Sequence, residues 1–266
     1  MSPPEKKESF VLCSKLSEFF FKYTGLPMKT AIVTGGNSGI GYATAKLMKD
    51  KGYEVLITGR NEERVSKVAK ELDIDYAIVD MSDVTGLEKL ASRYKDTGLD
   101  ALVLNAAMAT FKPIESIDMS EFDTFINTNI KGPYFFIKAL VNSLIKKQGA
   151  ITVITSAVVD KGVPNGSLYT LTKGAMDAFV RSFAAEMAPH RVRVNCVSPG
   201  AVNTEIFGKL GVPEELIKKR RTMLESRIPL GRYGEPNELA HTIIAQLEAT
   251  YVTGANWRVD GGESMT

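Results

Sequence analysis

From residue 28 onward, short apolar runs alternate with longer segments whose apolar positions recur every three to four residues. The short runs are 30–35 (TAIVTG), 54–59 (EVLITG), 75–80 (DYAIVD), 101–106 (ALVLNA), 150–156 (AITVITS), 192–200 (VRVNCVSPG) and 256–262 (NWRVDGG). Several are apolar at consecutive positions, so they predict strands buried on both faces rather than strands with one wet side. The segments at 40–51, 61–71, 120–147 and 168–188 carry amphipathic spacing and predict the helices that cover them. Strand and helix in alternation give an α/β fold, a doubly wound parallel sheet of about seven strands with helices on both faces. This is the Rossmann-type arrangement. No repeat, low-complexity tract or linker interrupts 28–262, so 28–266 reads as one domain.

Residues 1–27 follow a different pattern. A polar start, MSPPEKKES, is followed by Leu12, Leu16, Phe19, Phe20 and Tyr23 at roughly helical spacing before GLP ends the run. The expectation is a partly disordered extension with one short amphipathic helix. Lys15, Glu18 and Lys22 interrupt its apolar surface, which argues against a signal peptide or a membrane span.

Composition narrows the chemistry. A chain of 266 residues with 44% hydrophobic content can bury a large core, and a net charge of +2 creates no field that would draw it to nucleic acid. The expected partner is a small molecule. Cys13 and Cys196 match neither a disulfide scaffold nor metal-ligand spacing, which suits a reducing cytoplasm. His190 and His241 are not spaced as a ligand pair, and no metal is expected.

The run AIVTGGNSGIGYATAKLM passes from a strand through a glycine-rich turn into a helix. Glycines there let the backbone approach a pyrophosphate, whose charge meets the free N–H groups and positive dipole of the helix start. At the end of the second strand stand Gly59 and Arg60, where an NAD-preferring site commonly offers a carboxylate to the ribose hydroxyls. Arg60 can grip a 2'-phosphate, with Arg64 one helical turn on, so NADP(H) is favoured and NAD(H) remains open.

Taken together, TGGNSGIG (34–41), LNAA (104–107), NTNIKG (127–132), ITSA (154–157), YTLTK (169–173) and SPGAVNT (198–204) resemble the short-chain dehydrogenase/reductase family. The ending, IPLGRYGEPNELA and YVTGANWRVDGG, is similar to the branch with 3-oxoacyl-carrier-protein reductases. The resemblance implies a catalytic tetrad: Asn129 for a relay water, Ser156 on the carbonyl oxygen, Tyr169 as proton donor or acceptor, and Lys173 acting on Tyr169 and the nicotinamide ribose. It also implies cofactor contacts from Thr34, Gly35, Asn37, Ser38, Gly39, Ile40 and Gly41 in the loop. Asp80, Asn105 and Ala106 would serve the adenosine side. Tyr169, Lys173, Pro199, Gly200, Val202 and Thr204 would serve the nicotinamide half. A homodimer or homotetramer is implied as well. The family's NNAG is here LNAA, so Leu104 and Ala107 depart from the pattern beside the cofactor.

Residue spacing gives the pair Tyr169 and Lys173 an independent rationale. At i and i+4 of a helix the two side chains share a face, and an ammonium there is expected to lower a phenol that otherwise titrates near pH ~10. The reading is an NADPH-dependent reduction of a ketone to an alcohol, or the reverse, by hydride transfer. Residues 203–228 are expected to form a substrate lid, with Ile206, Phe207, Leu210 and Met223 as apolar lining and KKRR at 218–221 as a solvated face. The alternative reading is a cofactor-binding sensor or scaffold whose N-terminal helix recruits a partner.

Overall fold

Each apolar run becomes a strand in the computed structural model, which describes residues 28–204 and 221–265. The strands are β1 (Thr30–Thr34), β2 (Glu54–Gly59), β3 (Asp75–Ile78), β4 (Ala101–Leu104), β5 (Ala150–Ile154), β6 (Arg193–Pro199) and β7 (Asn256–Val259). They form a single sheet in the order β3-β2-β1-β4-β5-β6-β7, with every neighbouring pair parallel. The chain leaves β1 towards β3, then returns to place β4 on the other side of β1. That reversal opens a crevice at the carboxyl ends of β1 and β4, where ligands of such sheets bind.

Successive residues of each strand point to opposite faces, so the two layers of core divide the strands between them. Ile32, Leu102 and Ile151 pack on one face against Leu87, Phe136, Leu140 and Val180, which come from α3 (Val84–Ala91), α5 (Gly132–Lys147) and α6 (Ser167–Met187). Ala31, Val33 and Val103 pack on the other against Met48, Val65 and Ile243, from α1 (Gly39–Asp50), α2 (Glu62–Leu72) and α7 (Pro236–Glu248). Phe136 is fully buried, and its truncation to alanine would cost about 3–5 kcal/mol.

Two elements differ from the sequence expectation. Helix α3 was not evident in the sequence pattern because it has only eight residues; it is started by the Asp83 side chain, which accepts from Gly86 N at 3.0 Å. The segment 120–147 is not one helix. It is α4 (Met119–Ile126), a wide π turn at Asn127–Lys131, and α5. The extra residue in a π turn re-aims side chains, and here it buries Asn129. Gly132 follows at a close approach, since a Cβ there would lie 1.6 Å from Met81 O.

The extension 1–27, and with it the proposed amphipathic helix, lies outside the described residues, as do Ile206, Phe207 and Leu210 of the expected lid. Met223 is described and is exposed. No helix among the described residues is long and apolar enough to cross a membrane.

Candidate active site

The crevice holds two cavities that meet. The first, about 480 Å³, runs from the carboxyl end of β2 across the glycine turn. Gly35, Asn37, Ser38, Gly39 and Ile40 line it from the turn, Arg60 and Asp80 from the adjoining strand ends, and Asn105, Ala106 and Thr204 from the opposite wall. Thr34 and Gly41 do not line it; they build it from behind. Thr34 Oγ1 accepts from the backbone N–H groups of Asn105 at 2.9 Å and Ala106 at 3.0 Å. Asn105 Nδ2 returns bonds to Thr34 O at 3.0 Å and Gly35 O at 3.2 Å, so the two strand ends are stitched together.

Gly35 takes φ +64, a left-handed conformation that other residues adopt at a cost. A Cβ at Gly41 would lie 2.3 Å from Gly35 O, so the turn can fold back on the first turn of α1 only because residue 41 has no side chain. The first turn of α1 contains no acidic residue and its N-cap Ser38 makes no side-chain bond. Backbone N–H groups and the helix dipole would therefore meet an anion without competition from a carboxylate in this turn. The residues present fit the pyrophosphate of a dinucleotide. Asp80 Oδ1 is held by Ser82 N at 2.9 Å and Ser82 Oγ at 2.8 Å, leaving Oδ2 3.9 Å from Arg60.

The second cavity, about 430 Å³, shares Ile40, Asn105, Ala107 and Thr204 with the first. Ser156, Tyr169 and Lys173 line it, and Pro199, Gly200 and Val202 form the wall at the end of β6. Ser156 follows β5 in extended backbone, accepts from Val158 N at 3.4 Å and lies near enough to the Tyr169 phenol to favour its ionised form. Tyr169 and Lys173 both face inward from α6, the helix that the spacing predicted. Lys173 Nζ lies 5.8 Å from the centre of the Tyr169 ring and donates to Ile154 O at 2.7 Å.

Burial reverses one expectation here. The Tyr169 phenol is pushed up to about 12 by desolvation, which outweighs the lowering by the nearby Ser156 hydroxyl. Desolvation likewise pulls Lys173 down to about 8. In this geometry the low-polarity surroundings disfavour both charged forms, and the ammonium does not bring the phenol below its ordinary value.

Asn129 lines neither cavity. Its Oδ1 accepts from Met108 N at 2.8 Å, and its Nδ2 donates to Met108 O at 2.9 Å and Thr172 Oγ1 at 3.1 Å. It thereby ties the loop after β4 to the α6 turn that carries Tyr169. Thr172 completes the tie by donating to Tyr169 O at 2.9 Å.

Sequence reasoning missed three charged residues of the second cavity: Lys161, Arg227 and Glu263. Glu263 comes from the 3-10 turn Glu263–Met265 after β7, with no local motif to mark it. Its burial is the only signal, and that is tertiary. No group of three histidine, cysteine or acidic side chains that could hold a metal occurs among the described residues.

Residues 35–264 match a family model described as enoyl-(acyl carrier protein) reductase. The chain is 31% identical over 241 residues to the 3-oxoacyl-acyl-carrier-protein reductase FabG of Rickettsia prowazekii, covering 89% of this chain and 97% of that one. Among solved structures it resembles an actinorhodin polyketide ketoreductase with NADPH, at TM-score 0.83 and 25% identity over 90% of this chain and 98% of that one. It also resembles the 3-ketoacyl-(acyl-carrier-protein) reductase of Brucella melitensis complexed with NADH, at TM-score 0.81 and 26% identity over 89% of this chain and 98% of that one. With the crevice, the glycine turn and the Ser156, Tyr169 and Lys173 cluster in place, these matches lead to one conclusion: the chain belongs to the short-chain dehydrogenase/reductase family, oxidoreductases that act on carbonyl and alcohol groups with a nicotinamide cofactor.

Proposed function

We propose that the protein reduces a ketone to an alcohol with NADPH, or runs the reverse reaction, with Tyr169 as the proton donor or acceptor. The observation that carries this reading is the convergence of Ser156, Tyr169 and Lys173 on a cavity continuous with the dinucleotide cleft. A bound nicotinamide supplies hydride to the carbonyl carbon or takes it back. Ser156 donates a hydrogen bond to the carbonyl oxygen, and Tyr169 Oη delivers a proton to that oxygen as negative charge develops. A phenol held near 12 is fully protonated at neutral pH, which is the form a donor needs. Lys173, at about 8, is mainly an ammonium at neutral pH and stabilises the phenolate that proton delivery leaves behind. Asn129 holds the Met108 and Thr172 segments in register and so positions Tyr169.

The preference for NADPH is supported by Arg60 and Arg64, which both line the cleft where a ribose-binding carboxylate would otherwise be expected. The names of the relatives make 3-oxoacyl thioesters the first substrates to try, and the family description makes enoyl thioesters the natural control. In the test, NADPH and NADH are titrated, and consumption of the tighter one is followed with ketones, 3-oxoacyl thioesters and enoyl thioesters. Turnover of a carbonyl substrate that falls about a thousandfold in Tyr169→Phe, with cofactor affinity unchanged, is the expected result. Turnover of enoyl substrates alone would replace this reading with carbon–carbon double-bond reduction.

A further inference from the structure

Besides Ser156, Tyr169 and Lys173, the second cavity is lined by a partly buried ion pair that the reaction above does not use. Lys161, just after the 3-10 turn Ala157–Val159, and Glu263, beyond β7, meet through Nζ and Oε1. Their side chains are only 23% and 10% exposed, and both line the cavity. The other carboxylate oxygen of Glu263 accepts from Ala201 N at 2.8 Å. A Cβ on Gly200 would lie 2.6 Å from that same oxygen, so the carboxylate fits into a cradle that only glycine leaves open.

The neighbouring charged groups have other partners, and Lys173, the cavity's buried ammonium, donates to Ile154 O at 2.7 Å. Asp160 holds Arg258 at 2.8 and 2.9 Å. Asp260 accepts from Gly262 N and Ser264 N, each at 2.9 Å, which fixes the turn presenting Glu263. Arg227, the further cation lining the cavity, has a partner of its own. Lys161 is thus a cation whose counter-anion is supplied by the chain and anchored by a backbone N–H group.

We infer that Glu263 occupies, from within the protein, the seat that a substrate's own carboxylate would take beside Lys161, and that this pair selects ketones whose remainder is uncharged. The inference rests on the ketone reading of the cavity. A substrate carboxylate entering here finds Lys161 already paired with Glu263, so the hydration it gives up is not offset by an ion pair with that lysine. Neutral esters and thioesters meet a closed pair with no net charge.

The test compares methyl 4-oxopentanoate with 4-oxopentanoate, which share a skeleton and differ in one charge. Dissociation constants are measured calorimetrically on full-length protein saturated with NADP+, so binding is read without turnover. The wild type is expected to prefer the ester. Glu263→Gln should shift the ester-to-acid affinity ratio about tenfold towards the acid, and Lys161→Gln should shift it several-fold the other way. General damage to the cavity weakens both ligands together and does not produce opposite signs. If Glu263→Gln does not fold, the shift in Lys161→Gln decides. Ratios unchanged within about twofold, or shifted alike in both variants, overturn the assignment. Shifted ratios in a protein that reduces no carbonyl compound would overturn the reductase reading and leave the selectivity assignment standing.

Discussion

The two cavities of the crevice are neighbours built on different principles. The dinucleotide cleft is made of backbone and exposed charge: a turn that only glycine permits, a helix start without acids, and Arg60, whose side chain is 72% exposed. The ketone cavity is made of buried side chains whose protonation is displaced by burial, Tyr169 upward and Lys173 downward. A shape-defined site and a charge-tuned site should fail differently, the first through added atoms and the second through removed ones.

The largest effect should come from the charge-tuned side. Ser156→Ala removes the hydroxyl proposed to donate to the carbonyl oxygen, and it should lower kcat about 100- to 1000-fold with cofactor affinity within about twofold. Stopped-flow turnover beside fluorescence titration separates the two readouts. A large loss of cofactor affinity would erase the proposed division between the cavities.

Adding one methyl group should damage the other side. Gly41→Ala places a Cβ against backbone at 2.3 Å, and we expect cofactor affinity to fall about 30- to 100-fold. Thermal unfolding with and without cofactor checks this, because the variant should lose most of its cofactor-dependent rise in Tm.

The buried charge predicts a pH signature confined to the second cavity. Lys173 titrates at about 8 when folded against an ordinary value of 10.5, so between these values the unfolded chain binds more protons and stability rises with pH. Relative to Lys173→Met, the wild type should gain on the order of 3 kcal/mol across that window, as read by denaturant unfolding. Tyr169 acts oppositely: held at about 12 against an ordinary 10.0, it makes stability fall as pH rises beyond about 10. Reductase activity should decline above pH about 8 as Lys173 loses its proton.

The smallest effect belongs to the exposed cation. Arg60→Ala should raise the Kd for NADPH about tenfold and leave that for NADH within about twofold, as measured by parallel titrations. Equal changes for both cofactors would mean that Arg60 does not read the 2'-phosphate.

Much of this was legible in the chain. The seven strands, the glycine turn and the Tyr169–Lys173 face of α6 are local patterns, because period, spacing and glycine placement are imposed within a few residues. The break at Asn127–Lys131 was not, since the amphipathic pattern continues on both sides and the groups that pack against it, Met81 and Met108, come from elsewhere in the chain. Asn129 was found by motif, yet its bonds show a tie between segments rather than a group facing either cavity.

The sequence by itself determined the fold class, the order of the strands along the chain and the side chains proposed to carry the chemistry, because these follow from periodicity, residue type and motif. Only the tertiary structure decided their charge states and their company. Desolvation depends on what packs around a group, so the upward displacement of Tyr169 could not be read from its distance to Lys173 in sequence. Nor could the meeting of Lys161 and Glu263, which are 102 residues apart and are joined only where the ends of β5 and β7 converge on one cavity.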